Sequence, residues 1–484
     1  MAVEYEPVIG LEIHVELSTN SKMFCGCKVA FGGEPNTRTC PICLGMPGSL
    51  PVINEKSIES TAKIGLAFNC EIASSTQFHR KNYFYPDMPK NYQISQYDLP
   101  ICLKGFLNVE VGDKANKVGI TRVHLEEDTG KLMHVGETGR IAGAEYAQVD
   151  FNRAGTPLVE IVSEPDIRSA EVAKNFLQKL RNTLLYLEVS DCNMEEGSLR
   201  CDANISIRPV GSAAFGTKVE LKNMNSFKAV YRGIDYEINR QEKLLREGGV
   251  IVQETRHWDA ANNVTISLRS KEEAHDYRYF PEPDLVPMSL TEEWIDKIRK
   301  ELPELPDRRK LRFMNSYNLS SSDAETLINP KELGDYFEEC MLMYPDSKTV
   351  FNWIMGELSY HLNTANLTFD KSPVSPSKLI GLLKLIDSGT ISGKMAKEVF
   401  EVMFSSGRGA EEIIEEKGLT QIVDQTAIEA VIDEVIKENP KIVEEYKSGK
   451  ERVFGFLVGQ VMKKTRGQAN PKLANDLLRS KISR

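Results

Sequence analysis

Apolar and polar residues alternate near the amino terminus. In Val8-Ile9-Gly10-Leu11-Glu12-Ile13-His14-Val15-Glu16-Leu17, Leu11, Ile13, Val15 and Leu17 fall on one face of a strand. Gly10, Glu12, His14 and Glu16 take the other. Two carboxylates and an imidazole on one face repel and gain little from packing, unless a cation or a phosphate-bound metal sits over them. The competing reading is an amphipathic strand whose polar face is merely solvated. The same period recurs in Arg200 to Arg208, where Arg200, Asp202, Asn204, Ser206 and Arg208 share the polar face, and in Lys218 to Asn223, where Glu220 lies between Lys218 and Lys222. In Ile120 to Asp128 it aligns Arg122, His124 and Glu126 and leaves Glu127 at the strand's end, where a bulge can swing the side chain round. Four such strands predict an open antiparallel sheet cradling a metal-nucleotide.

After about residue 290 the pattern turns helical. Glu292, Glu293 and Asp296 load the first turns of a helix, Pro303 and Pro306 punctuate it, and helices are expected over Val350 to Leu362 and Lys378 to Ile386. Ser372-Pro373-Val374-Ser375-Pro376 reads as a linker. Near the end, Ile428, Val431, Ile432, Val435 and Ile436 form one stripe that stops at Asn439-Pro440. Charge divides this tail: Arg408 to Tyr446 holds 4 basic and 11 acidic residues, a net of −7, and Lys447 to Arg484 holds 10 against 2, a net of +8. The basic end, with Lys463, Lys464, Arg466 and Lys472, suits a nucleic-acid backbone, or equally a solvated helix end.

A length of 484 residues predicts two to four domains. No apolar run reaches membrane-spanning length and Met1 to Glu6 has no signal or transit character, so a cytoplasmic protein is expected. The nine cysteines are an odd number, which disfavours a disulfide framework. Cys25-Gly26-Cys27 and Cys40-Pro41-Ile42-Cys43 are two knuckles suited to one structural zinc in a small ribbon; redox chemistry, an iron-sulfur cluster and free thiols are the alternatives. Between Phe78 and Tyr92, Arg80 and Lys81 could meet phosphate while Tyr83 and Tyr85 stack on a base or sugar, although aromatic-proline loops also pack for rigidity alone. The loops Asn152 to Pro157 and Asp276 to Asp284 read equally as scaffold turns or substrate contacts. A Walker A motif is excluded, since Leu132 follows Gly130-Lys131.

These stretches, with Met194-Glu195-Glu196-Gly197-Ser198-Leu199-Arg200-Cys201-Asp202-Ala203-Asn204, Glu220-Leu221-Lys222-Asn223-Met224-Asn225, Tyr277-Arg278-Tyr279-Phe280-Pro281-Glu282-Pro283-Asp284 and Gly467-Gln468-Ala469-Asn470-Pro471, resemble the B subunits of glutamyl/aspartyl-tRNA amidotransferases over nearly the whole chain. The resemblance implies an α+β fold: a glutamine-synthetase-like antiparallel cradle over 1–292 with a zinc ribbon insertion, a helical domain over 293–407, and a tRNA-contacting tail domain over 408–484. It implies ATP-dependent phosphorylation of the side-chain carboxylate of glutamate on tRNA(Gln) or aspartate on tRNA(Asn), then displacement of phosphate by ammonia. The ammonia would come from an amidase A subunit, the two being braced by a small C subunit; this chain has no amidase-type serine-serine-lysine signature. Carried over residue by residue, the magnesium positions are Glu12, His14, Glu127 and Glu220. Glu126, Asp202 and Lys222 join them as further candidates, and Arg80, Lys81, Tyr83, Tyr85 and Arg200 as substrate contacts. A non-catalytic tRNA-binding subunit and a ligase acting on free amino acid are the alternative readings.

Overall fold

The computed structural model describes residues 3–112, 114–136, 144–270, 277–418, 425–448, 450–465, 469 and 471–482. It divides into two compact units, Met1–Pro306 and Asp307–Arg484. The strands of the first are, in order, β1 (Tyr5–Glu16), β2 (Glu71–Ile72), β3 (Ser75–Thr76), β4 (His79–Asn82), β5 (Tyr92–Ser95), β6 (Cys102–Val111), β7 (Lys114–Glu127) and β8 (Lys131–Gly136). They continue with β9 (Ala144–Asp150), β10 (Pro157–Ser163), β11 (Leu199–Pro209), β12 (Val219–Lys222), β13 (Glu254–Asp259), β14 (Val264–Ser270), β15 (Phe280–Pro281) and β16 (Met288–Ser289). Among the described residues twelve of these form one sheet in the order β14-β13-β12-β11-β1-β10-β7-β5-β4-β15, with β6 beside β7 and β2 beside β6.

The expected antiparallel sheet is corrected to a mixed one, because β12 and β13 pair in parallel while the other pairs of this sheet are antiparallel. The cause is the connection. β12 leads into helix α3 (Phe227–Arg246) before β13, and a helical crossover returns the chain in the same direction, which a tight hairpin cannot do. Ser226 caps that helix by accepting the Ala229 N–H.

β1 lies in the middle of the sheet, and its alternation is reproduced in burial: Leu11, Ile13 and Val15 are fully buried, whereas Glu12, His14 and Glu16 are half-buried. The apolar face packs on helices α1 (Glu55–Ala67), α2 (Ala170–Tyr186) and α3. Ile64 of α1, Phe176, Leu177 and Leu180 of α2 and Ile234 of α3 join Ile13, Ile161 and Ile205 in one core. Helix α4 (Glu292–Lys300), capped by Thr291, packs against α1 inside the same unit.

The second unit is helical. The helix Ser347–Trp353 runs through a π turn at Ile354–Leu358 into Ser359–Ala365, covering the expected Val350 to Leu362 segment. The expected linker at Ser372 to Pro376 is instead packed: Val374 is fully buried, its carbonyl accepts the Tyr336 hydroxyl at 2.9 Å, and Ser375 caps the helix Pro376–Asp387. Ile428, Ile432 and Val435 form a core with Phe454, Leu457, Val461 and Leu478. The helix Gln425–Glu438 ends before Asn439, and Pro440 opens the next. No described helix is long and apolar enough to cross a membrane.

Replacing the fully buried Phe176 by alanine should cost about 3–5 kcal/mol of stability, read as a lower denaturation midpoint. An unchanged midpoint would show that α2 does not anchor the sheet.

Candidate functional site

Strand register assembles the polar face. Arg200 lies opposite His14, His14 opposite Glu160, and Glu160 opposite His124, in one row across β11, β1, β10 and β7. The next row runs Asp202, Glu12, Val162, Arg122, and the row on the other side joins Glu16, Leu158 and Glu126. Asn204 lies between Gly10 and Glu220.

At the centre, His14 Nε2 is 3.5 Å from Glu126 Oε1 and 3.7 Å from Glu160 Oε2, and His124 Nε2 is 3.3 Å from that same Glu160 oxygen. One ligand atom from each of His14, Glu126 and Glu160 lies within 4.8 Å of the others, a spacing fit for one cation. Despite desolvation, His124, with His14 and Lys81, holds the Glu160 carboxyl well below the usual carboxylate range. Glu160 was not singled out from sequence. Its strand, Pro157–Ser163, reads as an apolar run with a single charge, and only the register brings that charge to His14.

Beside this group, Glu12, Asp202 and Glu220 gather around Lys222. The Lys222 ammonium donates to Asp202 and lies 3.4 Å from Glu220 Oε1. Burial disfavours that charge, but Asp202, Glu220 and Glu12 outweigh burial and raise the Lys222 pKa. Asn204 Nδ2 donates to Glu12 Oε1 at 2.8 Å, and Thr255 Oγ1 donates to Glu220 Oε2 at 2.8 Å. Hard oxygen donors and a cation thus lie side by side, an arrangement suited to a polyphosphate with its metal.

Glu127 is not brought to this group. It pairs with Pro157, one residue out of phase with Glu126, and its carboxylate accepts from Lys90 and from the Ile94 N–H at 3.0 Å. With Lys22, Cys25, Cys43 and Lys90 it lines a small cavity of about 80 Å³. Half-exposed Arg200 donates to the buried Asp128 at 2.5 Å, and Arg80 makes a bidentate pair with Glu282, at 2.7 and 2.8 Å, over the Tyr92 ring. That pair pins β4 to β15. Lys81 lies 4.8 Å over Tyr277, and Tyr83 stacks on Tyr85 with centroids 5.7 Å apart. Asn152 serves as a scaffold turn, receiving the Arg38 N–H at 2.7 Å and donating to Glu34 O at 2.7 Å.

The four sulfurs of Cys25, Cys27, Cys40 and Cys43 lie within 4.8 Å of one another, and Cys40 and Cys43 are 3.9 Å apart. A zinc tetrathiolate with arms of about 2.3 Å has sulfur-sulfur edges of roughly 3.8 Å, so the cluster fits a tetrahedral soft metal. The Cys25 thiol, with the Cys40 N–H and Lys22, pulls the Cys43 thiol down to about 4, while the hydrogen bond with Cys43 and then burial raise Cys25.

In the second unit Lys463 and Lys464 are both exposed, and Lys464 is engaged by Glu434 at 2.9 Å and by Glu438. Lys472 belongs to the helix Pro471–Ile482. Arg466, Gly467, Gln468, Asn470 and Asp276 lie outside the described residues.

Residues 7–296 match the family model described as the GatB/GatE catalytic domain, and residues 335–482 match the GatB domain. The chain belongs to the amidotransferase B-subunit family. A relative from Carboxydothermus hydrogenoformans, named as the B subunit of aspartyl/glutamyl-tRNA(Asn/Gln) amidotransferase, is 56% identical over 481 residues, covering 99% of both chains. One of the same name from Thermoanaerobacter is 56% identical over 482 residues and 100% of both. The charged rows of the sheet therefore lie within the family's catalytic domain, and the basic end within its second domain.

At one edge of the polar face, burial and then the Asp128 charge push the Glu16 carboxyl up to about 8, while Arg200 and Arg153, despite desolvation, keep Asp128 low. Glu16 thus holds a proton that the unfolded carboxyl, near 4.5, has lost. The stability this proton gives is complete below the unfolded value and is lost as pH rises through about 8. Glu16→Gln, which cannot ionise, should gain melting temperature relative to wild type between about pH 5 and pH 8.5. A difference that stays constant with pH would refute the shared proton.

Proposed function

We propose that this chain is the carboxylate-activating subunit of a tRNA-dependent amidotransferase. It phosphorylates the side-chain carboxylate of glutamate on tRNA(Gln), of aspartate on tRNA(Asn), or of both, and so prepares it for amidation by ammonia from an amidase A partner braced by a small C subunit. The observation that carries the reading is the approach of His14, Glu126 and Glu160 on the polar face of a catalytic-domain sheet, next to Glu12, Asp202, Glu220 and Lys222. A free carboxylate acylates poorly, and its attack on a polyphosphate sets anion against anion. Magnesium held by His14, Glu126 and Glu160, with Glu12 in the next row of the sheet, would supply Lewis-acid neutralisation of the ATP oxygens. Lys222, kept charged by its acidic neighbours, offsets the remaining repulsion, and Asn204 and Thr255 fix the carboxylates of Glu12 and Glu220. In this reading Lys81, Tyr83 and Tyr85 meet substrate, while Arg80 and Arg200 act through their ion pairs with Glu282 and Asp128. Zinc in the four-cysteine ribbon is structural in this reading. A non-catalytic tRNA-binding role would have no use for this grouping of charge.

In a complex reconstituted with the A and C subunits, mischarged tRNA, ATP and glutamine, Glu12→Gln, Glu160→Gln or Glu220→Gln should lower amidation by about 10²–10³ while leaving tRNA binding and glutamine hydrolysis near wild type. Ammonium chloride should not restore them, because the lesion precedes ammonia attack. Full amidation by Glu12→Gln with ammonium chloride and ATP would sink the assignment.

The basic end of the second unit is read as a tRNA-backbone contact. Truncation after residue 407 should weaken tRNA binding and flatten its dependence on salt, with tRNA-independent glutaminase activity of the complex retained. Unchanged tRNA affinity would return Lys463, Lys464, Arg466 and Lys472 to a solvated surface.

A further inference from the structure

Lys22 has no place in the chemistry above, yet it is one of the largest fully buried side chains, 1% exposed. Lysine loses strong hydration on burial and is almost never found there without compensating charge. No carboxylate partner of Lys22 is seen among the described residues. Its Nζ instead lies 3.7 Å from Cys43 Sγ and 3.2 Å from the Phe151 carbonyl oxygen. One sulfur and one carbonyl offer little to hold a buried ammonium. A divalent metal held by four thiolates carries a net charge of about −2, which offers more.

Local backbone makes room for this contact, with the Glu127 carboxylate, held by Lys90, on the same small cavity. Gly155 has φ +85°, and a Cβ there would lie 3.5 Å from Lys22 Cδ and 3.5 Å from Cys43 Cβ, so the glycine forms the wall against which the two side chains meet. The ribbon is also tied to the segment that carries Phe151. The Asn36 N–H donates to Asp150 at 2.9 Å, and the Phe151 N–H donates to Asn36 Oδ1 at 2.8 Å. The carbonyl that receives Lys22 is therefore fixed relative to the knuckles.

We propose that Lys22 is the outer-sphere cation of the four-cysteine metal site: it neutralises part of the tetrathiolate charge at Cys43 and ties the site to the strand connection at Phe151. It is a positioning residue for the metal, and the inference rests on the reading of the ribbon as a zinc site.

The test is a cycle on the full-length protein, with wild type, Lys22→Met and Lys22→Gln each prepared with zinc and after chelation. Zinc dissociation constants come from chromophoric-chelator competition, and melting temperatures are taken for both forms. Wild type should bind one zinc, and both variants should bind it about 10–100-fold more weakly, the range for loss of an outer-shell partner. In the zinc-free state Lys22→Met should cost less melting temperature than in the zinc-bound state, since the lysine then meets less negative charge. A merely structural lysine would instead destabilise both forms equally and leave zinc affinity unchanged, which would overturn the proposal. Lys22→Gln keeps a donor to Phe151 and carries the test if the methionine variant does not fold. Zinc bound by wild type with equal affinity in the variants refutes the role of Lys22 alone. Absence of zinc from wild type refutes the ribbon reading, and the proposal with it.

Discussion

Like charges crowded on the polar face of a central strand are the constraint to which the first unit answers. β1 is flanked by β10 and β11, so its polar side chains cannot spread away from one another. Glu12, Glu16, Glu126, Glu160, Asp202 and Glu220 share that face with Lys222, Arg200 and Arg122, and the acidic groups exceed the basic ones. In the isolated chain this excess is handled by proton sharing at Glu16, by His124 at Glu160 and by Lys222 at its three carboxylates. Each device costs stability compared with an apolar face, and the residual negative potential is what a metal-polyphosphate would relieve.

The opposite face supplies the rigidity that such crowding requires. Helices α1, α2 and α3 seal Leu11, Ile13, Val159, Ile161, Ala203 and Ile205 from water, so the pleat cannot slip by one residue without exposing the core and inverting the charged rows. Register is therefore the link between packing and chemistry. The same register that puts Glu160 beside His14 turns Glu127 to Lys90, so consecutive glutamates in one strand serve different surroundings.

Period-2 patterning made β1, β11 and the polar ends of β7 and β12 legible, because burial follows side-chain parity alone. The cysteine knuckles were legible for a different reason: short spacings force the sulfurs together whatever the fold. Glu160 was not legible, since nothing in Pro157 to Ser163 tells which strand it will face. Neither was Lys22, whose role depends on Phe151 and Gly155 arriving from far along the chain. The parallel β12–β13 pair went unread although a helical period between two strands is its usual signal. The segment at Ser372 to Pro376 looked like a linker because proline and serine mark helix starts as well as loops, and burial of Val374 decides between them.

The claim at the centre of this account is that the charged rows hold a divalent metal at His14, Glu126 and Glu160. Crystals soaked with manganese and a non-hydrolysable ATP analogue, measured at the manganese absorption edge, test it most directly. The account predicts an anomalous peak within ligand distance of His14 Nε2 and a Glu126 or Glu160 oxygen, about 2.0–2.3 Å, with the phosphates toward Lys222. A nucleotide bound with its metal elsewhere, or a peak absent from this face while the analogue is present, would contradict it.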